Sequence, residues 1–360
     1  MSWETVRLGQ IINISKGKAI TKKNSREGSY PVILGGREPA YYIDQFNHIG
    51  KAIIVSRSGA SAGYISFWNE PIFVTDGFLV EPKAGVSIDY LYYLMKSHEN
   101  ELMRLQGGSA IPHVTPEIIS GIIVNVPNIE IQHRIIDIIL KYDELIDNNR
   151  RQIALLEEAA QRLYKEWFVD LRFPGYENTK IVDGVPEGWT EGVLGDVALF
   201  RRGKVITKEQ AHEGDIPVVA GGLEPAYYHN QTNTAAPVIT VSGSGANAGF
   251  ARLYHVNVFA SDCSFVDSEM TPYLYFAYCF VKANKSSLDA LQKGAAQPHV
   301  YPKDINALEL LVPARDVLDE FCRTVSLYFE KIKTIQRQMK VSTEARDRLL
   351  PKLMSGEIAV

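Results

Sequence analysis

The sequence predicts an α+β protein built as an internal repeat, with two similar globular α/β domains separated by two long antiparallel helices that form a coiled coil about a pseudo-twofold. Two observations carry this prediction: the chain matches itself at a fixed offset of 186 residues, and each copy ends in a long charged segment with an apolar stripe. A period of that length far exceeds the ~20–50 residues of a solenoid repeat, so each copy is expected to hold its own core. The boundaries read as 1–130 and 179–313 for the globular domains, with helical segments at 131–178 and 314–360.

The repeat is visible residue by residue. Trp3, Leu8 and Gly9 recur as Trp189, Leu194 and Gly195, and Gly17-Lys18 recurs as Gly203-Lys204. GGREPAYY (Gly35 to Tyr42) becomes GGLEPAYY (Gly221 to Tyr228), and SRSGASAG (Ser56 to Gly63) becomes SGSGANAG (Ser242 to Gly249). Pro112-His113-Val114 returns as Pro298-His299-Val300. Within the first copy, Ala52–Val55, Ile72–Val74 and Ile122–Val126 read as short β-branched strands, and Asp89–Leu105 reads as a helix. Thr115-Pro116 has the form of a helix N-cap followed by proline at the first helical position, of which Tyr301-Pro302 keeps only the proline. The Tyr41-Tyr42 and Tyr227-Tyr228 pairs read as strand core.

From Ile131 to Phe168 the apolar residues fall at three-and-four spacing, which predicts one amphipathic helix about 57 Å long. The second copy repeats the stripe from Phe321 to Leu353. Neither stripe can remain in water, and each is the simplest partner for the other. Asn149 interrupts the first stripe and aligns with Ile335; it reads either as a buried polar residue that fixes register or as a solvated residue at a kink.

Composition narrows the function classes. The 360 residues are 46% hydrophobic, and Lys+Arg 38 against Asp+Glu 42 gives a net charge of −4. That excludes a disordered or collagen-like chain and shows no global basic signature. Three cysteines without C-x-x-C spacing disfavour a disulfide framework and a structural zinc site. With no export signal in MSWETVRLGQ and no apolar run of membrane length, the expected location is the cytoplasm.

Local charge is more telling than the total. Lys16, Lys18, Lys22, Lys23 and Arg26 form a basic loop without an intervening acid, and Arg201, Arg202, Lys204 and Lys208 occupy the equivalent stretch. A basic loop kept in both copies is the expected footprint of a phosphate grip, the alternative being a solvated face. The Gly/Ser loops after the central strands place Ser56, Arg57 and Ser58, and Ser242 and Ser244, where small residues allow close approach to a ligand; a tight turn explains the glycines equally well. The copies differ at charged positions in near-identical frames: Arg57 aligns with Gly243, Arg37 with Leu223 and Lys23 with Glu209. Since an arginine can contact guanine through two hydrogen bonds and a glycine cannot, loops that read DNA would read different bases in the two copies. His113 and His299 read as half-buried satisfied residues or as surface contacts. No phosphate-binding G-x-x-x-x-G-K-[ST] loop, Pro-Pro-Tyr methyltransferase motif, H-E-x-x-H, G-x-S-x-G or nucleophilic cysteine context is present, so the chain is expected to perform no chemistry itself.

VPNIEIQHRII (Val126 to Ile136), IALLEEAAQRLYKEWFVDLRFPGYE (Ile153 to Glu177), VPEGW (Val185 to Trp189) and RLLPKLMSGEI (Arg348 to Ile358) closely resemble segments of the specificity subunits, HsdS, of type I restriction-modification systems. The resemblance covers the whole chain. It implies that the globular parts are target recognition domains, that the helices are the central and C-terminal conserved spacers, and that the chain binds double-stranded DNA at a bipartite site, one half per domain. It further implies docking of DNA adenine methyltransferase subunits, with restriction subunits as further partners where the system carries them. S-adenosylmethionine, ATP and magnesium are then expected on those partners and no cofactor on this chain. The two globular copies are more alike than is usual in this family, which predicts two similar, non-identical half-sites in inverted orientation. A competing reading is a coiled-coil scaffold whose paired domains bind a protein or a glycan; an enzyme with an unrecognised site finds no paired carboxylates or nucleophile and base to support it.

Overall fold

The computed structural model describes residues 3–105, 112–292 and 298–360. The chain divides into two compact units, one formed by Met1–Asp147 with Met339–Val360, the other by Asn148–Gln338. Each long helix contributes one part to each unit.

In the first unit a four-stranded antiparallel sheet runs in the order Ile12–Lys16, Gly77–Pro82, Lys51–Ser56, Ile65–Asn69. A three-stranded sheet runs Tyr42–Ile43, Tyr30–Ile33, Phe73–Val74, the last pair parallel. Trp3–Arg7 pairs separately with Ile123–Pro127. The central strand Lys51–Ser56 is buried on both faces. Ile53 and Val55 enter a core with Tyr90, Leu91 and Leu94, and Ala52 and Ile54 pack on the other side with Ile33, Ile72 and Val74. A strand covered on both faces needs no polar alternation, which is why its centre, Ala52–Val55, reads as an unbroken apolar run.

The second unit repeats this plan. Its four-stranded sheet runs Arg201–Arg202, Cys263–Asp267, Val238–Ser242, Ala251–Tyr254, and its three-stranded sheet Tyr227–His229, Ile216–Val219, Phe259–Ala260. Even the register is kept, since Lys16 opposes Phe78 and Arg202 opposes Ser264, all at the same offset.

The expected helix over Asp89–Leu105 is two helices, Ile88–Ser97 and Glu99–Arg104, broken at His98. Thr115 does cap the helix Pro116–Gly121, accepting from the Ile118 amide at 3.4 Å, whereas Tyr301 makes no such bond. The tyrosine pairs are corrected. Tyr41 and Tyr227 turn inward and donate to the carbonyls of Ile20 and Ile206, but Tyr42 and Tyr228 are more than half exposed, as neighbours on a strand must point to opposite faces.

The first long helix spans Ile129–Tyr164 and ends in a π-helical turn, Lys165–Val169, in place of the continuous α-helix expected to Phe168. The wider turn brings Tyr164, Trp167 and Phe168 together against Phe321 in the second unit, with ring centroids 6.2, 5.7 and 4.8 Å away. The second long helix spans Arg315–Ser355. In the first unit Ile131, Ile135 and Ile139 share a core with Leu353 and Met354, while Asp143 meets Arg346, so the two helices run antiparallel there. Asn149 is buried at 3% exposure and among the described residues its Nδ2 has no hydrogen-bond partner, which excludes the solvated reading. No helix among the described residues is long and apolar enough to cross a membrane.

Candidate nucleic-acid interface

The basic loop of the first unit begins where the edge strand ends at Lys16. The chain then passes tightly across its neighbours: the Gly17 amide donates to Gly77 O at 3.0 Å and the Lys18 amide to Val74 O at 3.0 Å. A Cβ on Gly17 would fall 2.4 Å from Thr75 O, and one on Gly203 the same distance from Ser261 O, so backbone crowding requires the glycine in both copies. Beyond this crossing Lys18, Lys22, Lys23 and Arg26 are exposed, Lys22 and Lys23 on a single 3-10 turn. Arg201, Arg202, Lys204 and Lys208 are likewise at the surface of the second unit. Arg37 is exposed and lies over the Tyr64 ring, 5.2 Å from its centroid.

The Gly/Ser loops have a narrower role than their composition implied. Gly59 and Gly63 adopt φ of 84° and 85°, Gly245 and Gly249 of 80° and 86°, the left-handed conformation that favours glycine. The amide of Gly59 donates to Pro112 O, that of Gly63 to Ser56 O, and those of Ala62 and Tyr64 to carbonyls within the loop. These amides are therefore committed to the protein and cannot serve a ligand. Ser56 and Ser242 are also corrected as ligand contacts: each is 3% exposed, because the last residue of a doubly covered strand faces the interior. What the loop offers outward is the side chains of Arg57 and Ser58, held against Pro112-His113-Val114 by a hydrogen bond from the Val114 amide to Arg57 O at 2.9 Å.

Sequence reasoning missed the residue that organises this surface. Asp76 accepts from Ser58 Oγ at 2.5 Å through one carboxylate oxygen and pairs with Arg57 Nε at 3.2 Å through the other. Its equivalent, Asp262, accepts from Ser244 Oγ and pairs with Arg202 Nη2. The available signal was the repeat itself: Asp76 and Asp262 fall at the same offset, in matching stretches that also align Phe73 with Phe259, Thr75 with Ser261 and Val80 with Val266. In the first unit Lys16, Arg57, Phe78, His113 and Thr115 line an open groove of about 590 Å³. His113 is exposed, so it takes the surface reading; His299 is partly exposed and stacks on Tyr301 at 6.0 Å and 17°.

Among the described residues no cluster of three or more His, Cys, Asp or Glu side chains could hold a metal ion. Burial raises the thiol pKa of Cys263 to about 12 and that of Cys322 to about 11, and raises Cys279 as well.

The chain thus repeats one α+β unit, each copy with a basic loop and a guanidinium beside a serine-anchored aspartate. The chain matches the family described as type I restriction modification DNA specificity domain over residues 1–158 and 186–337, and it belongs to that family. It is similar to the type I restriction enzyme MjaIX specificity subunit of Methanocaldococcus jannaschii, 27% identical over 86% of this chain and 78% of the relative. It is also similar to the putative type I specificity subunit S.MpnORF638P of Mycoplasma pneumoniae, 22% identical over 98% of this chain and 96% of the relative. The crystal structure of a type I restriction-modification system S subunit from M. genitalium shares the fold, with a TM-score of 0.63 over 98% of this chain and 96% of that one at 20% identity.

Proposed function

We propose that this specificity subunit binds duplex DNA at a bipartite target, each unit reading one half-site through its basic loop and the guanidinium–aspartate pair beside it. The observation that carries the reading is the recurrence, at the same offset, of a serine-anchored aspartate and a basic loop, each aspartate with a surface guanidinium beside it. Cationic side chains meet phosphates and fix the register of a protein on DNA, while oriented donors read base edges.

The long helices dock the partner subunits in this account. Leu155 and Leu327, on the helices of the second unit, are 64% and 70% exposed, apolar surface that a protein partner would cover. The partners are DNA adenine methyltransferase subunits, joined by restriction subunits where the system includes them. S-adenosylmethionine, ATP and magnesium act on those partners; this chain is non-catalytic, needs no cofactor of its own and works in the cytoplasm.

Binding of target duplex by the assembled methyltransferase complex, measured across a salt series, tests this. A steep loss of affinity with salt is expected, because each neutralised phosphate releases counterions. A flat salt dependence, or no duplex binding, would favour a scaffold whose paired domains bind protein or glycan.

A further inference from the structure

The two units hold a guanidinium in the same place but supply it from different points on the backbone. In the first, Arg57 of the Gly/Ser loop pairs with Asp76, and the side chains are 38% and 31% exposed. In the second, Arg202 of the edge strand pairs with Asp262, at 38% and 30%. By the repeat offset, Lys16 is the counterpart of Arg202, and Gly243 of Arg57.

The sheet explains how either residue reaches the acid. Asp76 leads into the strand Gly77–Pro82, which lies between the strand ending at Lys16 and the strand ending at Ser56; Lys16 opposes Phe78 and Ser56 opposes Gly77. Positions 16 and 57 therefore flank one carboxylate from opposite sides, as 202 and 243 do in the second unit. Each carboxylate holds one guanidinium. A Cβ on Gly243 would fall 2.3 Å from Arg202 Nη1 and 3.0 Å from its Cζ, so the missing side chain at 243 is what admits Arg202. In the first unit Arg57 takes the carboxylate, and among the described residues no acid pairs with Lys16. The sequence difference between Arg57 and Gly243 is thus a relocation of the arginine and not its loss.

We propose that Asp76 and Asp262 are positioning residues that aim this single guanidinium at a base edge, and that the residue pairs Lys16/Arg57 and Arg202/Gly243 determine which base each unit prefers. The inference rests on the reading of both units as DNA-binding. A base edge suits the site better than a phosphate does. The aspartate beside the guanidinium repels a phosphate, whereas a neutral acceptor edge carries no such penalty and rewards a donor held by a carboxylate that is itself anchored by a serine. The first unit adds the Lys16 ammonium beside Arg57; the second offers Arg202 alone.

The test uses the assembled complex with its methyltransferase, reading the methylated motif and duplex affinity for the wild type, Arg57→Gly, Lys16→Arg/Arg57→Gly and Asp76→Asn. Arg57→Gly and Asp76→Asn are expected to relax discrimination at one base position of one half-site by about tenfold or more, leaving the other half-site and the melting temperature unchanged. The double variant rebuilds the arrangement of the second unit and is expected to restore sharp discrimination at that position. Two results overturn the proposal: a uniform loss of affinity on every sequence with a shallower salt slope, which marks a phosphate contact, or a double variant that stays as relaxed as Arg57→Gly. Failure of the wild-type complex to bind duplex at all defeats the underlying reading instead, and the two failures are distinguished by the wild-type salt series.

Discussion

Arg346, near the end of the second long helix, donates through Nη1 to Asp143 of the first long helix at 2.5 Å, across 203 residues of sequence. The other oxygen of that carboxylate accepts from the Tyr93 hydroxyl on the helix Ile88–Ser97. One acid therefore ties three helices of the first unit together, and the last residues of the chain complete a core that the first residues begin.

Arg346→Ala is expected to lower the stability of the first unit by about 1–2 kcal/mol, between an exposed ion pair and a buried one, since both side chains are about one quarter exposed (27% and 26%). Chemical denaturation of the wild type, each single variant and Arg346→Ala/Asp143→Asn would give the coupling. A coupling near zero would reduce this contact to an ordinary surface pair.

Two glycine substitutions should separate folding from recognition. Gly203→Ala places a methyl 2.4 Å from Ser261 O and 2.5 Å from Ala260 O, both backbone atoms, and is expected to destabilise the second unit by about 1–3 kcal/mol. At Gly243 the nearest atoms belong to the flexible end of Arg202, so Gly243→Ala should leave melting close to wild type while displacing the guanidinium. Thermal unfolding of the two variants side by side checks the contrast.

Asn149→Leu is expected to stabilise the protein by about 1–3 kcal/mol, because it removes a buried amide nitrogen that has no partner among the described residues. A melting temperature unchanged or lowered would mean that the amide does structural work which its static contacts do not reveal.

His255 carries a pH dependence. Burial lowers its pKa, against a smaller raising effect of the hydrogen bond with Gln336; Glu330 raises it and Lys333 lowers it. The unfolded chain takes up a proton near pH ~6.5 that the folded unit resists. This contribution to stability is complete above that pH and is lost as pH falls below it. Melting curves from pH 8 to 5 should show a shallower acid loss for His255→Phe than for the wild type.

Much of the architecture was legible because duplication writes the same constraint twice. Gly17 and Gly203 recur since the same strands cross there, and the basic loops recur as exposed surface. The central strands were legible from their unbroken β-branched runs. What the sequence did not reveal was adjacency across the sheet. Nothing in one dimension says that residues 16 and 57 flank Asp76, so the change from Arg57 to Gly243 reads as a lost contact until the Lys16 to Arg202 change is seen beside it. Ser56 and Ser242 were misplaced for a related reason: loop-like composition continues into the last strand residue, where the side chain faces the core. The π-turn at Lys165–Val169 depends on aromatic partners from distant segments, which local periodicity cannot report.

The central claim is that the two units are related DNA readers. The most direct measurement is the methylome of a host expressing this subunit with its methyltransferase. The account predicts an interrupted motif whose two halves are similar, non-identical and inverted. A methylated motif of one uninterrupted part would contradict it.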